Sequence, residues 1–180
     1  MGKFFDKILY GGGVIFDLAK WVILAAIILV IINQFFISIF IVDGVSMESY
    51  LHDKEIVLLN KMVYSGDKTP ERLDVVVVKY PGDPLHKKYV KRVIALPGET
   101  LQIINSEVFV NGQKIKELFL DPDTLTEPDG IWTMNEKEYF LMGDNRPNSN
   151  DCRAFGPVER RFFSGKAVLV IFPKLRNIEY

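Results

Sequence analysis

Hydrophobic positions follow two regimes along the chain. From Trp21 to Val42 they are nearly continuous: 22 positions carry no charge, and only Asn33, Gln34 and Ser38 interrupt the apolar run. As a helix rising ~1.5 Å per residue, this run is ~33 Å long, enough for a hydrocarbon core of ~30 Å. A cleavable leader has a shorter apolar stretch, roughly 7–15 residues, with small residues at the cut. Here the run instead leads into Asp43-Gly44. The pattern predicts one membrane-spanning anchor over residues 21–42. The segment before it, residues 1–20, contains Gly11-Gly12-Gly13, which is expected to break any helix begun at Lys3.

Beyond residue 43 the apolar runs are short, β-branched and bounded by turn residues. They predict strands over Glu55–Leu59, Asp74–Lys79, Tyr89–Leu96, Leu101–Ile104, Glu107–Val110, Tyr139–Met142 and Lys166–Phe172. Asn105-Ser106 joins two of them. Asn111-Gly112 is a hairpin turn signal, because both residues tolerate positive φ. Asp121–Gly130, rich in Asp, Pro and Thr, reads as a surface loop. Tyr80–Lys88 reads as another, since its two prolines deny ladder donors. No long amphipathic helix stands out, so residues 43–180 are expected to form one antiparallel β domain.

Charge and composition narrow the classes. The chain has 22 basic and 23 acidic residues, a net charge of -1, and 48% apolar residues. This excludes a disordered chain and a basic nucleic-acid binder. Lys3, Lys7 and Lys20 precede the apolar run while Asp43, Glu48 and Asp53 follow it, which favours a cytoplasmic N-terminus and an extracytoplasmic β domain. Lys54 and Lys61 weaken that bias. Cys152 is alone, so no intramolecular disulfide forms; it reads as a packed small side chain. One Cys and two His argue against a structural zinc site, and nothing calls for a metal or an organic cofactor.

Three segments can carry chemistry. Gly44-Val45-Ser46-Met47 places a serine in a turn just after the anchor, where backbone N–H groups can bind an oxyanion. Tyr89-Val90-Lys91-Arg92-Val93 points Lys91 and Arg92 to opposite faces of a strand; Lys91, sharing a face with Tyr89 and Val93, is either desolvated or a solvated edge-strand lysine. Residues Gly143 to Arg153 form a polar loop in which Asp144, Asn148 and Asp151 also suit a cation. A Ser-His-Asp triad would need His52 or His86, both in polar loop sequence, and no G-x-S-x-G turn is present. A Ser-Lys pair is the remaining serine chemistry. Its lysine must fall ~2–3 units from a reference pKa near ~10.4, which requires ~3–4 kcal/mol of desolvation or like-charge repulsion.

Taken in order, the segments resemble one family. An anchor is followed by Ser46-Met47, Asp74-Val75-Val76-Val77, Lys91-Arg92 leading to Pro97-Gly98, and Gly-Asp-Asn-Arg-x-Asn-Ser-x-Asp-x-Arg-x-Phe-Gly from Gly143 to Gly156. This is similar to bacterial type I signal peptidase, a membrane-bound serine protease that removes signal peptides from exported proteins. The resemblance runs from about Trp21 to Phe172. It implies Ser46 as nucleophile, Lys91 as general base, and Ser149 as a hydroxyl that hydrogen-bonds and orients the lysine. It implies an Asp151–Arg153 ion pair beside the site, Arg92 as a further partner of that aspartate, and Met47 as a neighbour of the site.

The resemblance also implies a mainly β fold: a single N-terminal transmembrane helix, then an antiparallel β domain of signal-peptidase type. A short inserted β-hairpin region is expected within residues 99–138. Its partners would be signal-peptide-bearing preproteins, with small residues at the first and third positions before the cut, and membrane lipid. Five positions depart from the family pattern. Ser49-Tyr50 stands where Pro-Thr is usual, and Gly44 where some members have an oxyanion-binding serine. Glu99 replaces Asp and Cys152 replaces Ser. A peptidase dedicated to pilin-type substrates, or a non-catalytic pilus assembly chaperone of the same fold, is the alternative. A self-cleaving repressor with a Ser-Lys pair would need a DNA-binding domain where residues 1–42 supply an anchor.

Overall fold

The computed structural model describes residues 2–64, 66, 68–80, 82–84 and 87–178, without the side chains of 2–12 and 15. His86, in the loop expected over residues 80–88, lies outside the described residues. The chain divides into two units, Met1–Ser38 and Ile39–Tyr180.

The first unit is built on helix α1, Gly2–Phe35. Its apolar part, Phe16–Phe35, is 20 residues long, and every side chain from Phe16 to Phe36 is exposed. At ~1.5 Å per residue those 20 residues cover ~30 Å. Two expectations are corrected here. The helix continues through Gly11–Gly13 rather than breaking; about 1 kcal/mol per glycine relative to alanine is a cost that a long helix tolerates. And it stops at Phe35, not Val42. The sequence Ile-Ser-Ile-Phe-Ile that follows is β-branched and aromatic, and such side chains suit a pleated strand better than a helix. It forms β1, Ile37–Ile41.

The remaining strands are β2 (Ile56–Asn60), β3 (Val75–Lys79), β4 (Lys88–Ala95), β5 (Thr100–Ile104), β6 (Glu107–Val110), β7 (Gln113–Lys114), β8 (Gly130–Thr133), β9 (Glu138–Met142), β10 (Val158–Glu159), β11 (Phe163–Phe172) and β12 (Arg176–Asn177). The main sheet runs β1-β2-β11-β3-β4-β9-β10, with β12 paired to β11. The smaller sheet runs β7-β6-β5-β8. Every described register is antiparallel. The expected mainly β architecture is what forms. All seven predicted strands are present within a few residues, and Asn105-Ser106 and Asn111-Gly112 both adopt positive φ at their two turn positions.

β3 explains the sheet's centre. Val75 to Val78 are all buried, because the strand has a core on each face. Val76 and Val78 pack with Val93, Leu101, Ile103, Phe140 and Leu141. Val75 and Val77 pack with Val42, Met47, Leu51, Val57 and Val170. β4 lies between β3 and β9, so Lys91 is on a central strand and not at a solvated edge.

Candidate active site

Ser46 sits in the turn between β1 and β2. Met47 and Leu51, both buried in the second core, root that turn. Its backbone closes through Glu48 N donating to Val45 O (3.0 Å) and Leu51 N to Met47 O (2.8 Å). Gly44 enters it at φ +96°, a value that favours glycine, and its N–H donates to Asp53 Oδ1 at 2.7 Å. Ser49 adopts φ +81°, which a proline ring forbids. The turn in this conformation therefore excludes proline at position 49.

Lys91 Nζ lies 2.7 Å from Ser46 Oγ. The lysine is 1% exposed. Burial lowers its pKa to about 8, against the opposing pull of Asp151 and Asp144. Desolvation disfavours the ammonium, so an amine this deep is a competent base near neutral pH. Register supports the placement: Lys91 pairs with Val76 on β3, and the next residue, Arg92, pairs with Val75, so the two side chains leave opposite faces as the strand periodicity predicts.

The Gly143–Arg153 loop brings the rest together. Asn145 N donates to Ser46 O (3.1 Å) and its side-chain amide to Val45 O (3.0 Å), so the loop grips the serine's own backbone. Asp151 is wholly buried, accepts from Gly143 N (3.0 Å), and takes Arg153 Nε and Nη2 on its two oxygens at 2.8 Å each. Burial pushes the Asp151 carboxyl up, but the Arg153 guanidinium and the Gly143 amide outweigh it and hold the pKa below the usual value. The expected Asp151–Arg153 pair is thus formed.

Arg92 is a correction. It does not join Asp151; its Nε and Nη2 bind Asp144 at 2.9 and 2.6 Å, with Nη1 on Leu73 O (3.0 Å). Arg92 and Arg153 leave different parts of the fold, so each arginine fork takes its own carboxylate. The cation-site reading of the loop lapses for the same reason, since Asp144 and Asp151 are both filled by guanidinium groups. Ser149 is a second correction. Its Oγ is buried and the described bond of Lys91 Nζ goes to Ser46 rather than to Ser149, whose hydroxyl acts on the Asp151 carboxyl and helps hold its pKa down. The hydroxyl is also packed against Gly143: a Cβ there would fall 2.3 Å from Ser149 Oγ and 2.3 Å from Ser46 O.

Several site residues escaped sequence reasoning. Gly143, Asp144, Asn145 and Arg146 were visible only as parts of a polar motif. Arg146 is buried, donating to Gly143 O (3.0 Å) and Thr126 Oγ1 (2.8 Å) and pairing with Glu117. Glu117 and Thr126 carried no signal at all. Cys152 is buried, its Sγ accepting from Leu141 N (3.2 Å), and burial pushes its thiol up; it is a packed side chain. His52 is exposed.

The assembled features are a serine in a backbone-rich turn, a desolvated lysine on its hydroxyl, and a loop that fixes the serine's carbonyl. They can support acyl transfer. The model of a family described as "Signal peptidase, peptidase S26" matches residues 15–172. A protein named signal peptidase I from Bacillus amyloliquefaciens is 38% identical over 170 residues, covering 88% of this chain and 89% of its own length. Signal peptidase I S from Bacillus subtilis (strain 168) is 35% identical, covering 88% and 90%. A crystal structure of a signal peptidase I from Enterococcus faecalis V583 overlays 56% of this chain and 98% of its own, at 28% identity and a TM-score of 0.49.

Proposed function

The chain belongs to the peptidase S26 family of signal peptidases and is a membrane-anchored peptidase that cleaves signal peptides from preproteins; from that premise we propose that it works through a Ser46–Lys91 dyad. The observation that carries the reading is the 2.7 Å contact between Ser46 Oγ and a lysine whose pKa is about 8. Neutral Lys91 takes the Ser46 proton as Oγ attacks the scissile carbonyl carbon. The Ser46 backbone N–H stabilises the resulting oxyanion. Lys91 then gives its proton to the departing amine, leaving an ester on Ser46, and afterwards deprotonates the water that hydrolyses it. Gly44 N–H serves the turn rather than the oxyanion, since Asp53 occupies it.

Met47 roots the nucleophile in the core. The Arg92–Asp144 and Asp151–Arg153 pairs hold the loop that grips Ser46 O. Ser149 supports the site through its packing beside Gly143. Residues 1–20 are cytoplasmic, as Lys3, Lys7 and Lys20 favour, and the β domain works on the outer side, with lipid around the apolar run that follows Lys20. The sheet built from Thr100 to Thr133 supports residues 99–138 as an insertion into the catalytic domain.

The test is incubation of the detergent-solubilised chain, Ser46→Ala and Lys91→Ala with a secretory preprotein and with a pilin precursor. Wild type is expected to process the secretory preprotein and both variants to lose cleavage to background. Full cleavage by either variant removes the dyad. Processing of the pilin precursor alone would make the substrate range a narrow one.

A further inference from the structure

Between β7 and β8 the chain crosses the site as a strap, residues 115–127. Four of its side chains and one carbonyl touch site residues. Glu117 pairs with Arg146, and Thr126 Oγ1 accepts from the same guanidinium. Glu127 O accepts from Arg153 Nη1 at 2.6 Å. Asp121 Oδ2 accepts from Ser49 Oγ at 2.7 Å. Phe119, 7% exposed, sets its ring centroid 4.2 Å from the Arg92 guanidinium carbon.

Arg92 is where these contacts converge on the nucleophile. Its in-plane donors are committed to Asp144 and to Leu73 O, and its π surface meets two rings: Phe119 from the strap and Tyr50, at 4.6 Å, from the nucleophile turn. Desolvated cation–π contacts of this kind hold a guanidinium's orientation as well as its position. From Arg92 the path to Ser46 is short. Asp144 is the residue before Asn145, whose N–H and side-chain amide bind Ser46 O and Val45 O.

We propose that Phe119 and Tyr50 are positioning residues: by clamping the Arg92 guanidinium they fix the Asp144–Asn145 segment, and with it the reach of Ser46 Oγ toward the scissile carbonyl. This rests on Ser46 being the nucleophile. Neither ring touches the reacting atoms in this account. Loosening the clamp lowers the fraction of bound substrate attacked in the right geometry, so it acts on kcat and leaves KM alone.

The experiment measures kcat and KM per folded molecule, well below the unfolding midpoint, for Phe119→Leu, Tyr50→Leu, the double variant and Phe119→Tyr, with Ser46→Ala as control. Leucine keeps an apolar side chain but removes the π face. Each single variant is expected to lose about fivefold in kcat with KM unchanged. The double variant is expected to lose no more than the larger single loss, because both rings lie closer to the Arg92 guanidinium than to Arg176 (5.7 Å from Tyr50) or Arg146 (5.9 Å from Phe119). Phe119→Tyr is expected to restore the wild-type rate. A kcat within twofold of wild type in both single variants overturns the clamp, as do losses that multiply. So does a rise in KM at constant kcat, which would make the strap a substrate wall. If Phe119→Leu does not fold, Tyr50→Leu, on a half-buried ring, carries the test. Retained cleavage by Ser46→Ala would overturn the dyad itself, separately from the clamp.

Discussion

At the scale of single residues, the burial of Lys91, the proposed base, has two consequences of opposite sign. For catalysis, the neutral amine is the active form, so kcat/KM is expected to rise tenfold per pH unit below about 8 and to level off above it. A profile that stays flat between pH 6 and 9 would remove Lys91 as the base. For stability the sign reverses. The folded pKa lies below the unfolded one, near 10.5, so below about pH 8 both states bind the proton and the native state bears the full cost of a buried ammonium. That cost amounts to about 3 kcal/mol for a shift of this size. It fades as pH rises from about 8 toward 10.5. Lys91→Met is therefore expected to unfold at higher denaturant than wild type at pH 7, with the gap narrowing at pH 10. Gly143 makes the complementary prediction. A methyl group there collides with Ser46 O and Ser149 Oγ, and backbone must shift. Gly143→Ala is expected to lose on the order of 100-fold in kcat, since displacements near 1 Å at a reacting group have that effect. Gly13→Ala, in α1 with nothing within 4 Å of its Cβ, serves as the control for adding a methyl group to a glycine away from the site.

At the scale of elements, legibility followed how local the cause was. β3 and β4 were readable because runs of Val and Ile have few other uses, and the Asn111-Gly112 hairpin because its turn demands positive φ. β1 was not. Ile37–Ile41 continues the apolar run without a break, and only pairing beside β2 separates strand from anchor. β7, β8, β10 and β12 were missed because four or two residues carry no periodicity to detect. Ser46 and Lys91 stood in sequence only as separate candidates that the family resemblance joined, and the desolvation of Lys91 depends on its place on a central strand between β3 and β9. The partner of Arg92 was misread for a similar reason. Two aspartates occupy one loop, and only the fold assigns Asp144 to Arg92 and Asp151 to Arg153. That assignment is testable. Asp144→Ala leaves the Arg92 guanidinium, 1% exposed, without its carboxylate. It is expected to cost about 3–5 kcal/mol in denaturant unfolding. Removing Lys114 from its exposed pair with Glu107 is expected to cost no more than about 1 kcal/mol. Equal effects in the two variants would mean that the Arg92–Asp144 pair does not brace the site.

At the scale of the whole molecule, the point where helix gives way to strand decides how the protein can be divided. Phe16–Phe35 is the apolar span, whereas Phe40 and Val42 pack with Met47 and Leu51 in the core below the nucleophile turn. Val42 also exchanges backbone bonds with the residues before β2, its N–H donating to Glu55 O (2.9 Å) and its carbonyl accepting from Lys54 N (2.9 Å). Two truncations therefore differ sharply although their ends are seven residues apart. A chain of residues 36–180 keeps β1 and is expected to cleave a short soluble signal-peptide mimic within about threefold of the full-length rate, because preformed site geometry sets that rate. It is expected to process a preprotein embedded in proteoliposomes on the order of 100-fold more slowly, since the anchor confines enzyme and substrate to one surface and raises their effective concentration. A chain of residues 43–180 loses Phe40 and Val42 and is expected to fail on both substrates, its turn no longer rooted. Initial rates on the two substrates, with the unfolding midpoint of each truncation, check all four outcomes. Full activity of residues 43–180 on the soluble peptide would show that β1 does not support the site. An undiminished rate of residues 36–180 on the embedded preprotein would show that α1 contributes nothing to substrate encounter.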